Sequence, residues 1–168
     1  MKRILLLTAL VLSVGLTSAV AQKIGYVNSQ VLLQELPDYK NAEANFENYR
    51  TQLQKKLEQK AELLKVDYQA VARKAEQGEL SPVQQEQETT RLQTEQNKLL
   101  QYEQEIQQDL VKRQQEEMQP ILDKVNTAIN TVAEENDMTY VFDAASGIIL
   151  YADESTDITT QVKAKLGM

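Results

Sequence analysis

Gln77-Gly78-Glu79-Leu80-Ser81-Pro82-Val83-Gln84 is a helix stop followed at once by a helix start. Gly78 adopts the left-handed conformation that ends a helix, Ser81 is placed to cap the next one, Pro82 suits its first position, and Gln84 completes a capping box. On the amino-terminal side, apolar residues recur at Tyr39, Ala42, Phe46, Tyr49 and Leu53, then at Leu57, Ala61, Leu64, Tyr68, Val71 and Ala75. The steps of three and four, with one extra four-residue step, draw a single stripe down a long helix.

Folding two helices back about this turn pairs residues whose numbers add to about 159. That register, set by the turn alone, brings the stripe onto a matching one: Leu53 faces Ile106, Tyr49 faces Leu110, Leu57 faces Tyr102, Ala61 faces Leu99, Tyr68 faces Leu92 and Ala42 faces Met118. It also sets Pro120 level with Pro37. A proline inside a helix removes a hydrogen bond and bends the chain, so these two prolines mark a hinge where a protruding arm meets a body. At 1.5 Å per residue the arm is about 60 Å long.

The segments flanking the arm are short. Ile24-Gly25-Tyr26-Val27-Asn28 alternates as a strand does, and Ser29 is placed to cap a brief helix through Leu36. After Pro120, the spacing Ile121, Val125, Ala128, Val132 continues the helix to about Glu135, where Asn136-Asp137 ends it. Met138 to Asp143 and Ile148 to Ala152, joined by a loop containing Gly147, predict a β-hairpin. Asp157 or Thr159 caps a last helix with Val162 and Leu166 on its apolar face. The fold class is α+β, mostly α: a long antiparallel helical hairpin, or coiled-coil arm, over 38–120 with its tip at 78–81, standing on a small sheet body built from 22–37 and 121–168. A body this small, with open sheet edges, is marginal alone and favours association.

Met1 to Ala21 combines Lys2-Arg3, an apolar run from Ile4 to Leu16 and Ala19-Val20-Ala21, which predicts a secretory signal peptide cleaved after Ala21. The run is too short for a stable membrane span, and no cysteine follows it to carry a lipid. Loss of Lys2 and Arg3 leaves 16 basic against 25 acidic residues. Such a balance argues against nucleic acid as a partner, because phosphate recognition needs a basic footprint.

The chain holds no Cys and no His. Thiolate chemistry is therefore excluded, and the commonest general base and transition-metal ligand are missing. Gly25, Gly78, Gly147 and Gly167 stand apart, so no phosphate-binding loop exists, and no cofactor is implied. Asp143, Asp153, Glu154 and Asp157 lack the glycine-centred spacing of a calcium loop. Ser146 and Ser155 have no histidine to activate them. Catalysis has no constellation to rest on, and the surface of the arm is what remains. Leu63, Val66, Leu100 and Val111 lie off the pairing stripe, and Lys55, Lys56, Lys60, Arg73 and Lys74 form its basic positions; these are the candidate client contacts.

The ordered set of Ile24-Gly25-Tyr26-Val27, Leu36-Pro37-Asp38-Tyr39-Lys40, the helical hairpin, Gln119-Pro120-Ile121-Leu122, Tyr140-Val141-Phe142-Asp143, Leu150-Tyr151-Ala152 and Asp157-Ile158-Thr159 resembles the Skp (OmpH-like) periplasmic chaperones. The resemblance implies a homotrimer that pools short strands in a barrel-like core. Its arms would surround a cavity and hold unfolded outer-membrane proteins in the periplasm without ATP. Relatives are often strongly basic with positive tips. Here Glu76, Glu79, Glu86 and Glu88 make the tip acidic, so lipopolysaccharide binding is not carried over. The alternative is a structural or adaptor coiled coil of the cell envelope, which calls for a continuous second apolar stripe that the arm lacks.

Overall fold

The computed structural model describes residues 22–168, and the segment read as a signal peptide lies outside them. The elements are β1 (Ile24–Val27), α1 (Ser29–Glu35), α2 (Pro37–Glu76), α3 (Pro82–Glu135), β2 (Tyr140–Asp143), two 3-10 turns (Ala144–Ser146 and Glu154–Thr156) and α4 (Thr159–Leu166). Among the described residues no helix is long and apolar enough to cross a membrane.

The arm turns as the sequence predicts. Gly78 has φ +70°, and its backbone N–H donates to Ala75 O at 3.1 Å while that of Glu79 donates to Lys74 O at 3.0 Å. These bonds satisfy carbonyls that the end of α2 would otherwise leave free. Ser81 Oγ accepts from Gln84 N–H and Gln84 Oε1 accepts from Ser81 N–H, closing the capping box ahead of Pro82. Leu53, Leu92, Ile106 and Ala42 are buried on the facing stripes. Polar pairs across the arm fall close to the expected register: Tyr49 with Asp109, Asp67 with Arg91, and Asp38 with Lys124. Helix α3 is assigned through Pro120, and Pro37 is the first residue of α2.

The body corrects three local expectations. No β-hairpin forms. β2 pairs with β1 in parallel, Ile24 opposite Tyr140 and Val27 opposite Asp143, and residues 148–152 are not a strand. Parallel pairing needs a long crossover, and the whole helical hairpin supplies it: the chain leaves β1, travels up and down the arm, and re-enters in the same direction. After β2 a 3-10 turn and Gly147, φ +71°, carry the chain away from the sheet edge. Ile148, Leu150 and Tyr151 are 80, 97 and 85 % exposed.

Asn28, not Ser29, caps α1, its side chain accepting from Val31 N–H at 3.1 Å. Ser29 is instead bound to the end of β2. Its N–H donates to Asp143 Oδ1 at 3.1 Å and its hydroxyl to Asp143 Oδ2, while Ala145 N–H donates to Oδ1 at 2.9 Å. Ahead of α4, the Asp157 carboxylate accepts from Thr159 N–H at 2.7 Å, and Thr159 Oγ1 accepts from Asn28 N–H at 3.1 Å. Thr159 therefore ties α4 to β1 rather than capping its own helix.

One core lies at the root of the arm. Val27, Leu32, Leu36, Ala42, Ile121, Val125, Ala128, Val132, Ile158 and Val162 are buried together, with Tyr39 and Met118 packed against them. Gly25 belongs where it is because a Cβ there would meet the Met138 sulfur at 2.6 Å and Thr156 O at 3.3 Å.

Partial burial pushes the Asp143 carboxyl up, but the hydrogen bonds from Ser29 Oγ, Ala145 N–H and Ser29 N–H outweigh it and hold its pKa below the usual aspartate value. A lowered folded pKa means stability that is present above the unfolded pKa of about 4 and is lost as pH falls through the folded value. Asp143→Asn should cost about 1 kcal/mol at neutral pH, less than for a fully buried charged hydrogen bond because the site is partly solvated. Urea titrations should show that gap closing as the pH drops below about 4.

Candidate functional site

Two helices packed only on each other expose most of their surface. Polar contacts supplement the sparse apolar stripe along the arm. Tyr49 donates its hydroxyl to Asp109, and this carboxylate holds the Tyr49 phenol above its ordinary pKa. The Arg113 guanidinium lies 5.5 Å from the centroid of the Tyr49 ring, and Lys60 Nζ lies 5.1 Å from that of Tyr102. Tyr68 donates to Gln96 at 3.0 Å. Arg91 bridges the helices near the tip, bonding Asp67 at 3.0 Å and Glu88 at 2.8 Å.

Leu63, Val66, Leu100 and Val111 are 68, 50, 52 and 67 % exposed. Leu63 lines a recess of about 260 Å³ that it shares with Lys60, Leu64, Asp67, Arg91, Glu95, Lys98 and Leu99. Lys55 and Lys56 are exposed on the open face of α2. Arg73 and Lys74 occupy its last turn, where a positive charge suits the negative end of the helix dipole. Lys74 also borders a smaller recess with Leu80, Glu88 and Arg91. The structure thus joins Lys60 to Leu63 but does not gather the candidates into one patch.

One feature escaped the sequence reading and a second was read with the wrong partner. Near the root, Tyr39, Glu43, Phe46 and Glu47 of α2 and Gln114, Glu117 and Met118 of α3 line a groove of about 250 Å³. Tyr39 and Phe46 read as ordinary stripe residues, and only coordinates show them half-exposed between the helices. The second feature is the apolar run Ile148 to Tyr151, which lies beside the exposed Tyr140 and Phe142 of β2 in sequence but bonds to no strand. Among the described residues no cluster of three or more His, Cys, Asp or Glu side chains is placed to hold a metal ion.

The model of the family described as "Outer membrane protein (OmpH-like)" matches residues 23–166. A solved structure from Caulobacter crescentus CB15, described as an OmpH-like outer membrane chaperone, superposes with a TM-score of 0.75 at 19 % identity. The match covers 90 % of this chain and 88 % of that one, and at this identity it bears on the fold alone. No curated protein matches the chain significantly.

Sparse packing makes the arm sensitive to single clasps. Tyr49→Phe should speed amide exchange several-fold around residues 46–53 and 106–113 while leaving amides near Val132 and Val162 unchanged. Hydrogen-exchange mass spectrometry, peptide by peptide, reads the difference; a uniform change over arm and body would contradict it.

Proposed function

We propose that this chain, which belongs to the OmpH-like family, is an ATP-independent periplasmic holdase whose arms bind unfolded outer-membrane proteins and keep them from aggregating. The observation that carries this reading is the arm itself. It is two helices thick, about 60 Å long, and it exposes Leu63, Val66, Leu100 and Val111 singly along its length. Scattered weak contacts on a long surface bind extended chains of varied sequence through avidity, without a shaped pocket. A fixed coiled-coil partner would call for a continuous stripe instead.

The body supports assembly into a homotrimer. A two-stranded sheet with open edges is marginal alone, and Ile24, Tyr140, Phe142, Ile148, Leu150 and Tyr151 together expose an apolar area beside it. Copies that cover this area would leave their arms projecting from one base. Pro37 and Pro120 form the hinge at the base of each arm, because Pro120 removes one α3 hydrogen bond where Lys124 meets Asp38 across the joint. Lys55, Lys56, Lys60, Arg73 and Lys74 add electrostatic contacts to acidic stretches of a client.

Light scattering from several unfolded outer-membrane barrel proteins should be suppressed by the exported protein at trimer-equivalent stoichiometry with no nucleotide present. Indifference to all of them would favour an envelope adaptor. Pro120→Ala should stiffen the joint and narrow the range of client sizes protected; an unchanged range would remove the hinge from the account.

A further inference from the structure

The groove at the root of the arm has a chemistry the rest of the arm lacks. Its half-buried apolar residues are Tyr39, Phe46 and Met118, and its carboxylates are Glu43, Glu47 and the half-buried Glu117. Tyr39 and Met118 also pack against the body core, which fixes one side of the groove while the distal arm is free to bend. We propose that this groove binds a cationic and apolar segment of an unfolded polypeptide, a lysine or arginine next to a large apolar residue. The proposal rests on the holdase reading and specifies which client segments the arm selects.

Charge accounting favours a cation. Glu47 pairs with Arg50 at 2.8 Å, and Glu117 Oε1 pairs with Arg113 at 2.6 Å. Glu43 has no ion-pair partner among the described residues, and Glu117 Oε2 is buried without a hydrogen-bond partner. A buried carboxylate oxygen that lacks a donor is destabilised until one arrives. An ammonium or guanidinium seated beside the exposed Glu43 offsets that carboxylate and eases the nearby Glu117, whose unpaired oxygen is shielded from solvent; a neutral or acidic segment does not. Near the tip the opposite holds: Arg91 is bound by Asp67 and Glu88, and Lys98 by Glu95. At about 250 Å³ the groove is smaller than a typical small-molecule pocket and suits one or two side chains. Met118 adapts to apolar groups of different shape.

Three fluorescein-labelled peptides of equal length, carrying Lys-Phe, Ser-Phe or Glu-Phe pairs in a Ser-Gly background, test this by anisotropy with the full exported protein. The Lys-Phe peptide should bind about tenfold tighter than the Ser-Phe peptide, as one charge-assisted contact allows. It should lose that margin at high salt. Glu43→Gln with Glu117→Gln should abolish the preference, bringing Lys-Phe binding down to the level of Ser-Phe, whereas Phe46→Ala should weaken both. Glu43→Gln alone, at an exposed position, keeps the test valid if the double variant melts early. Equal affinity for Lys-Phe and Glu-Phe peptides, or a preference that survives the glutamine variants, overturns the proposal. Aggregation assays on the same samples separate the two readings. Suppression without a Lys-Phe preference removes the groove and leaves the holdase; a preference without suppression leaves the groove's selectivity and removes the holdase.

Discussion

A pair of helices with no third layer can bury only one stripe on each, and the rest of this molecule follows from that limit. Between Pro37 and Pro120 the buried apolar residues are Ala42, Leu53, Leu92 and Ile106. Four residues over so long a hairpin give little hydrophobic stabilisation, and the exposed polar clasps add only small increments each. The root is built differently. There α1, α4 and the end of α3 close over Leu32, Val132 and Val162, each at or below 1 % exposure. Stability is therefore graded along the molecule, high in the body and low toward the turn, so the arm can open locally without unfolding its base.

The base depends in turn on the arm. β1 and β2 are parallel, and the connection between them is the entire hairpin. Ser29 and Asp143 join the two exits of that sheet, one at the start of α1 and one at the end of β2, so the first and last parts of the body are held in register by a carboxylate with three donors. The sheet has only two strands and leaves an edge and one face uncovered. The apolar run after Gly147 adds no strand to it.

The arm was legible because helices obey local rules. Gly78, Ser81, Pro82 and Gln84 act within one turn of each other, and the register followed from the turn by counting. The body was less legible because its decisive contacts are remote in sequence. Nothing near Ser29 says that its hydroxyl binds Asp143 rather than capping α1, and alternation in Ile148 to Ala152 shows the capacity to be a strand without showing a partner. Two apolar runs flanking a glycine are the usual signature of a hairpin; here the better partner for Tyr140 to Asp143 was β1, which is distant in sequence and brought close by the arm. The root groove was illegible for another reason. Tyr39 and Phe46 keep perfect stripe spacing, but the stripe says only which way they face and not that the facing helix would leave them half-covered.

Charge decides what kind of surface such an arm presents. Near the tip Arg91 is engaged between Asp67 and Glu88, while Arg73 and Lys74 stand exposed at the negative end of α2. Glu76, Glu79 and Glu86 remain facing solvent. With both signs exposed side by side, the field is mixed and reaches only about a Debye length, roughly 8 Å at physiological salt. On the holdase reading, long-range attraction is then not the general means of holding cargo. Short-range contact would then carry the proposed binding, through isolated leucines and valines along the limb and through a groove at its root where apolar side chains and carboxylates lie together. On the holdase reading, selectivity and holding would fall to different parts of one hairpin: the thinly packed length would supply many weak contacts, and the end anchored on the body core a stiffer surface on which to discriminate.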